Sequence, residues 1–265
     1  MVRTSRAAKV AWMVAWLIVF YLVARVVSAH AGEVPPADAQ AFQQVFQKVA
    51  PSVVAIRAQG RDAMSGSQTR IVEKGSGVLI SGNGQVLTAA YLVHGMDEIS
   101  VEFPGGVKVS ARVVTSEPAA ADLALLQLDR VPQGSTVSPM ADSNTVRVKD
   151  KILIVGAAPH QPPHPVSVGT ISARWAPNTV YRTMPLAEFF QADATIDASN
   201  SGGPMFNLKG EVIGIVSHNI STGDRSDRQG FVVTSNTAKL LLLEKQSAWS
   251  GIAKSSCPTL SSRTC

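Results

Sequence analysis

Cysteine is nearly absent from this chain of 265 residues: Cys257 and Cys265, both among the last nine positions, are the only two. No disulfide can therefore staple the body of the fold. In an oxidising compartment the two could close a small loop in the tail, or they remain idle thiols. A lone cysteine pair with no histidine beside it is a poor start for a metal cage. Acidic residues are missing from the first 31 positions, where Arg3, Arg6, Lys9 and Arg25 stand. Those four groups carry most of the formal net charge of +5 and leave +1 for residues 32–265. A nearly neutral body argues against a nucleic-acid partner. Long apolar runs are missing too, since Val10–Ala24 has fifteen apolar residues, short of the roughly twenty of a full membrane span. No tandem repeat occurs.

What is there begins with the N-terminus. "MVRTSRAAK" is a positive n-region, Val10–Ala24 an apolar h-region, and "AHAG" offers a cleavage site after Ala31. Arg25 is awkward for cleavage, and the Trp and Tyr residues of the apolar run suit a membrane interface. Residues 1–31 therefore read either as a cleaved signal peptide or as an uncleaved membrane anchor. Both place the body in the periplasm, soluble or held at the inner membrane.

Residues 32–50 read as a polar linker and a short amphipathic helix, with Phe42, Val45, Phe46 and Val49 on one face and Pro51 as its stop. After that the text changes. Short Val- and Ile-rich runs ("SVVAIRA", "GSGVLIS", "GQVLTAA", "EISVEF", "VKVSARVV", "DLALLQL", "KILIVGA", "VSVGTISA", "GEVIGIVS", "GFVVTS") alternate with Gly, Asn, Pro and Ser punctuation. Strands at this spacing, without long helical patterns between them, indicate an all-β sandwich or barrel. A polar connection, Asp129–Asp150, divides them into two subdomains, about 51–130 and about 150–240, within a domain spanning 51–245. "NTAKLLLLEKQ" reads as a closing helix and 246–265 as a polar tail. A hydrophobic content of 45% is enough to fill both cores.

Three stretches carry the chemistry. "DASNSGGPMF" sets Ser201 on a tight glycine-flanked turn, a geometry that exposes a hydroxyl and gathers backbone N–H groups, as an oxyanion hole requires. "AADLALLQL" places Asp122 at the head of an apolar strand, where a carboxylate needs a partner. "VLTAAYLVHG" supplies Tyr91 and, three residues later, His94. Jointly, and in this order, they resemble the trypsin-like serine proteases of the bacterial HtrA, or DegP-like, family over residues about 40–240.

The resemblance implies two six-stranded β-barrels of the trypsin-like (chymotrypsin) fold, preceded by the N-terminal signal or anchor helix. It also implies a nucleophile at Ser201, an acid at Asp122, an oxyanion hole at Ser199, Asn200 and Ser201, and a substrate edge at Val216, Ser217 and His218. The position of the catalytic histidine is held by Tyr91, and the register on either side leaves no gap to bring His94 into it. A phenol with a pKa of about 10 is ionised to only about one part in a thousand at neutral pH, so it is no ready base. Ser199 stands where the family has glycine, and a Cβ disfavours the turn expected there. Both departures suggest a pseudoprotease that binds unfolded or extended polypeptide, or an active HtrA relative. Tyr91 is then an aromatic filling the cleft with its hydroxyl on Asp122, and His94 a surface bystander.

An active endopeptidase with a non-standard base remains the second reading, and a membrane-associated scaffold or metal-binding protein the third. The third rests on the N-terminal segment and on His160 and His164 in "PHQPPHP", a stiff loop with no further ligand in sight. No metal or other cofactor is expected. The resemblance further implies a homotrimer, while only about 25 residues follow the last strand, too few for the family's PDZ domains.

Overall fold

The computed structural model describes residues 36–61, 70–157, 165–179, 184–196, 198–217 and 229–244. Residues 1–41 form one unit and 42–265 another. The helix α1 spans Pro36–Val49. It starts six residues before the apolar stripe, within the stretch expected to be linker. Pro36 at its head and Asp38 in its first turn favour that early start. Phe42, Val45 and Val49 are buried, and the 3₁₀ turn Ala50–Ser52 around Pro51 ends the helix.

Two closed antiparallel barrels follow. The first contains β1 (Val53–Arg61), β2 (Arg70–Leu79), β3 (Gln85–Ala89), β4 (Glu98–Glu102), β5 (Lys108–Glu117) and β6 (Leu123–Leu128), in the order β1-β2-β3-β6-β5-β4. The second contains β7 (Lys151–Val155), β8 (Val166–Trp175), β9 (Phe189–Asp193), β10 (Pro204–Phe206), β11 (Val212–Val216) and β12 (Gln229–Thr234), in the order β10-β11-β12-β9-β8-β7.

Several strands read as unbroken apolar runs because both of their faces are buried. Side chains alternate across a strand. In β7, Ile152 and Ile154 enter the core of the second barrel, whereas Leu153 and Val155 join a separate cluster shared between the barrels. In β6, Ala124 and Leu126 fill the first barrel while Leu123 and Leu125 face that shared layer. The shared layer also takes Leu87 from β3, Phe206 from β10 and Val233 from β12. It is therefore the hydrophobic contact that fixes one barrel against the other.

The polar connection between the barrels is hydrogen-bonded to both of them. Ser138 N donates to Leu79 O in the first barrel, while Ala141 N and Val212 O, and Val212 N and Pro139 O, pair it to the second. Arg174 on β8 closes a bidentate pair with Glu188 and also donates to Ser143 O and Asn144 Oδ1. The closing helix α2, Ser235–Ala238, is capped by Thr234 and passes into π-helical geometry over Lys239–Glu244, burying Leu241 and Leu242.

Candidate active site

Strand pairing alone brings two of the three positions together. Ala89 at the end of β3 pairs with Leu123 at the start of β6, so the residues just beyond them meet at the rim of the first barrel. Ala90 N donates to Asp122 O, and the chain then enters the 3₁₀ turn Ala90–Leu92. That turn aims Tyr91 N at Asp122 Oδ1, 2.9 Å away. Asp122 itself has φ +50°, a left-handed conformation that Asp tolerates better than most side chains.

Asp122 is buried, and its second oxygen accepts a short hydrogen bond from the hydroxyl of Ser217 at the end of β11. Burial pushes its pKa above the ordinary carboxylate range, and the hydrogen bonds from Ser217 and from the Tyr91 and Ala90 amides pull against that without cancelling it. The folded chain thus holds this proton to higher pH than the unfolded chain does. As pH rises from about 4, the unfolded value, through the raised folded one, stability from this group is lost. Asp122→Asn keeps an oxygen for the Tyr91 amide and can donate to Ser217. Its unfolding free energy should therefore gain on that of the natural chain as pH rises through this window and hold level above it. Urea titrations across the acid range measure the gain, and a difference that falls with pH would refute the assignment.

The third position comes from the second barrel. The turn Ala198–Asn200 is 3₁₀-helical and leads directly to Ser201, which is buried. Gly202 follows at φ +74°, its N–H donating to Val216 O, and Gly203 N closes back on Asn200 O. On this turn Ser201 Oγ accepts a hydrogen bond of 2.6 Å from Tyr91 Oη. Tyr91 is half-buried against the core of the first barrel. Its pKa is raised chiefly by burial and further by the carboxylates of Asp122 and Glu73, against the pull of the Ser201 bond. The phenol therefore stays protonated at neutral pH and donates to the oxygen from which a base would have to remove a proton.

The structure corrects several sequence expectations. The Tyr91 hydroxyl lies on Ser201, and it is the main-chain N–H of Tyr91 that Asp122 holds. The side chain is long enough to pass the carboxylate and reach the opposite barrel. Val216, expected at a substrate edge, is fully buried, with its N–H on Gly203 O and its C=O on Gly202 N. It supports the nucleophile turn. Ser217, placed on the same edge, spends its hydroxyl on Asp122. Ser199 is not among the described residues with positive φ, so its Cβ is accommodated in the 3₁₀ turn without left-handed strain.

His94 is exposed and bonds through Nδ1 to Ser116 Oγ at 3.1 Å. His218, His160, His164, Cys257, Cys265 and the N-terminal apolar run lie outside the described residues. Among the described residues, no three His, Cys, Asp or Glu side chains gather as a metal site. No helix among them is long and apolar enough to cross a membrane.

Two closed six-stranded barrels thus bring a serine on a glycine turn of one and an aspartate on the rim of the other to the same residue, Tyr91. The model of the trypsin-like peptidase domain matches residues 75–215, which take in Tyr91, Asp122 and Ser201. The chain belongs to the trypsin-like peptidase family. This trypsin-like domain is 32% identical over 214 residues to the mitochondrial serine protease HTRA2 of Bos taurus, covering 80% of this chain and 45% of that protein. It is 34% identical over 176 residues to a probable periplasmic serine endoprotease, DegP-like, of Pseudomonas putida, covering 66% of this chain and 34% of the relative. A protein of the same name from Brucella suis is 34% identical over 189 residues, with coverages of 69% and 36%. The chain thus spans between about a third and about half of the length of these relatives. Among solved structures, the HtrA-type protease AlgW with a decapeptide superposes with a TM-score of 0.65 at 24% identity. That superposition covers 79% of this chain and 67% of that one, and it supports the fold.

Proposed function

We propose that this trypsin-like domain holds extended polypeptide in the cleft between its barrels without hydrolysing it. The observation that carries this reading is the 2.6 Å bond from Tyr91 Oη to Ser201 Oγ. A working nucleophile donates its proton to a base, whereas this one accepts a proton donor whose own pKa is raised. Removing one member of such a triad costs on the order of a millionfold in turnover. The names of the Pseudomonas and Brucella relatives and the n-region, h-region and "AHAG" of the N-terminus support a periplasmic setting. There the bound chain would be an unfolded protein or an active HtrA relative.

Purified protein is expected to bind fluorescein-labelled unfolded casein, read by anisotropy, while releasing no fragments beyond a Ser201→Ala control. Casein hydrolysis that disappears on Ser201→Ala would overturn the proposal. The second reading, an active endopeptidase, draws on the retained seat of Asp122 between Tyr91 N and Ser217 Oγ. An activated fluorophosphonate decides between them: covalent labelling of Ser201 across neutral and mildly alkaline pH favours activity, and its absence favours binding alone.

A further inference from the structure

We infer that Ser76 is a positioning residue, through which the first barrel grips the nucleophile turn of the second and sets the direction of Ser201 Oγ. Ser76 lies on β2 and is completely buried. A hydroxyl in that setting is costly unless both its donor and its acceptor capacity are used. Here both are used, and both partners belong to the other barrel's side of the cleft. Ser76 Oγ donates to Ser199 O at 2.8 Å and accepts from Ala157 N at 2.8 Å. The main chain of the same residue adds a third bond, from Ser76 N to Ser201 O at 2.8 Å. Its own carbonyl accepts from Thr88 Oγ1 at 2.7 Å, which anchors the residue to β3.

One residue of the first barrel therefore fixes the carbonyls of both Ser199 and Ser201. Peptide groups are planar, so holding these two oxygens limits rotation of the peptide planes after residues 199 and 201. Between those planes sits the residue that presents Oγ. Gly75 before it is what this approach needs, since a Cβ there would stand 2.8 Å from Ser201 O, while a Cβ on Gly77 would meet Ile56, Val86 and Leu87 within the first barrel itself. Gly75 and Ser76 thus make a backbone-to-backbone contact with a hydroxyl beside it.

The inference holds whether or not the domain cleaves, so its failure would leave the proposed function untouched. The full chain contains three tyrosines, and fluorotyrosine incorporation followed by ¹⁹F NMR reads the one at position 91, assigned with Tyr91→Phe. Ser76→Ala should move the Tyr91 resonance to where Ser201→Ala puts it, because the turn no longer presents Oγ to the phenol. The other two tyrosine signals should stay in place. A purely structural role would lower the unfolding midpoint and leave the Tyr91 resonance unmoved, and that result would overturn the inference. Should Ser76→Ala not fold, Ser76→Cys keeps a side chain of the same connectivity, slightly larger and with a weaker donor. It is expected to shift the same resonance in the same direction by less, and no shift would count equally against the proposal.

Discussion

Tyr91→His should raise Ser201-dependent hydrolysis of unfolded casein at least ~10²-fold above the natural chain, of which the proposed function expects none. A positioned general base contributes roughly 10²–10⁴ in rate, and what such a base needs is still in place. Asp122 is held at 2.9 Å by the main-chain N–H of residue 91 and by Ser217 from the other barrel. Neither bond involves the Tyr91 ring, so the substitution leaves the carboxylate seated and brings an imidazole beside it. An imidazolium formed there would also lower the raised pKa of Asp122, since opposite charges in contact favour one another. If Ser199 withholds one oxyanion donor, adding Ser199→Gly should give a further gain of about 10²–10³, the usual value of such a donor. Initial rates of the single and double variants, with Ser201→Ala as zero, test both steps. If neither variant rises above zero, the defect is not confined to these positions.

Gly202→Ala is expected to cost roughly 2–5 kcal/mol of stability, a large part of the ~5–15 kcal/mol that holds a domain folded. Two terms add. At φ +74° an L side chain is strained, worth about 1–2 kcal/mol. A Cβ would also lie 2.4 Å from both Ser76 O and Thr88 Oγ1, buried atoms already bonded to each other. Overpacking of that kind adds about 1–3 kcal/mol. Gly95 separates the terms, because its φ is +72° but nothing lies within 4 Å of an added Cβ. Gly95→Ala should show the backbone cost alone. Urea denaturation of the two variants gives the comparison, and equal losses would mean that the contact with Ser76 and Thr88 has no weight.

The architecture was legible because buried strands of Val, Ile and Leu announce themselves, and ten of the twelve could be read as apolar runs. The two that escaped were β9, "FFQAD", and β10, the three residues "PMF". One carries a half-polar sequence and the other begins with a proline, so neither has the pattern of a strand. Their place in the second barrel is set by neighbours, β12 pairing with β9 and β7 with β10. The site was legible as three positions but not as contacts. Sequence order gives residue 91, Asp122 and Ser201, whereas the reach of a phenol past a carboxylate is a matter of side-chain length in a particular cleft. Ser76 carries a signal in the sequence, a hydroxyl between two glycines at the head of the apolar run "VLI". The inward turn of Val216 left no such trace, since an apolar residue at a strand end looks the same from either side.

Residue 91 serves the site twice, with its amide on Asp122 and its ring on Ser201. The amide contact belongs to every amino acid that could stand there except proline. The ring contact belongs to tyrosine alone. Both tyrosine codons become histidine codons by a change of their first base, so the distance between a capped nucleophile and one with a base beside it is a point mutation that leaves the carboxylate's seat unaltered. A gene for this domain should therefore allow selection for proteolysis from a small mutant library. The codon for residue 91 is where recovered activity would first be looked for.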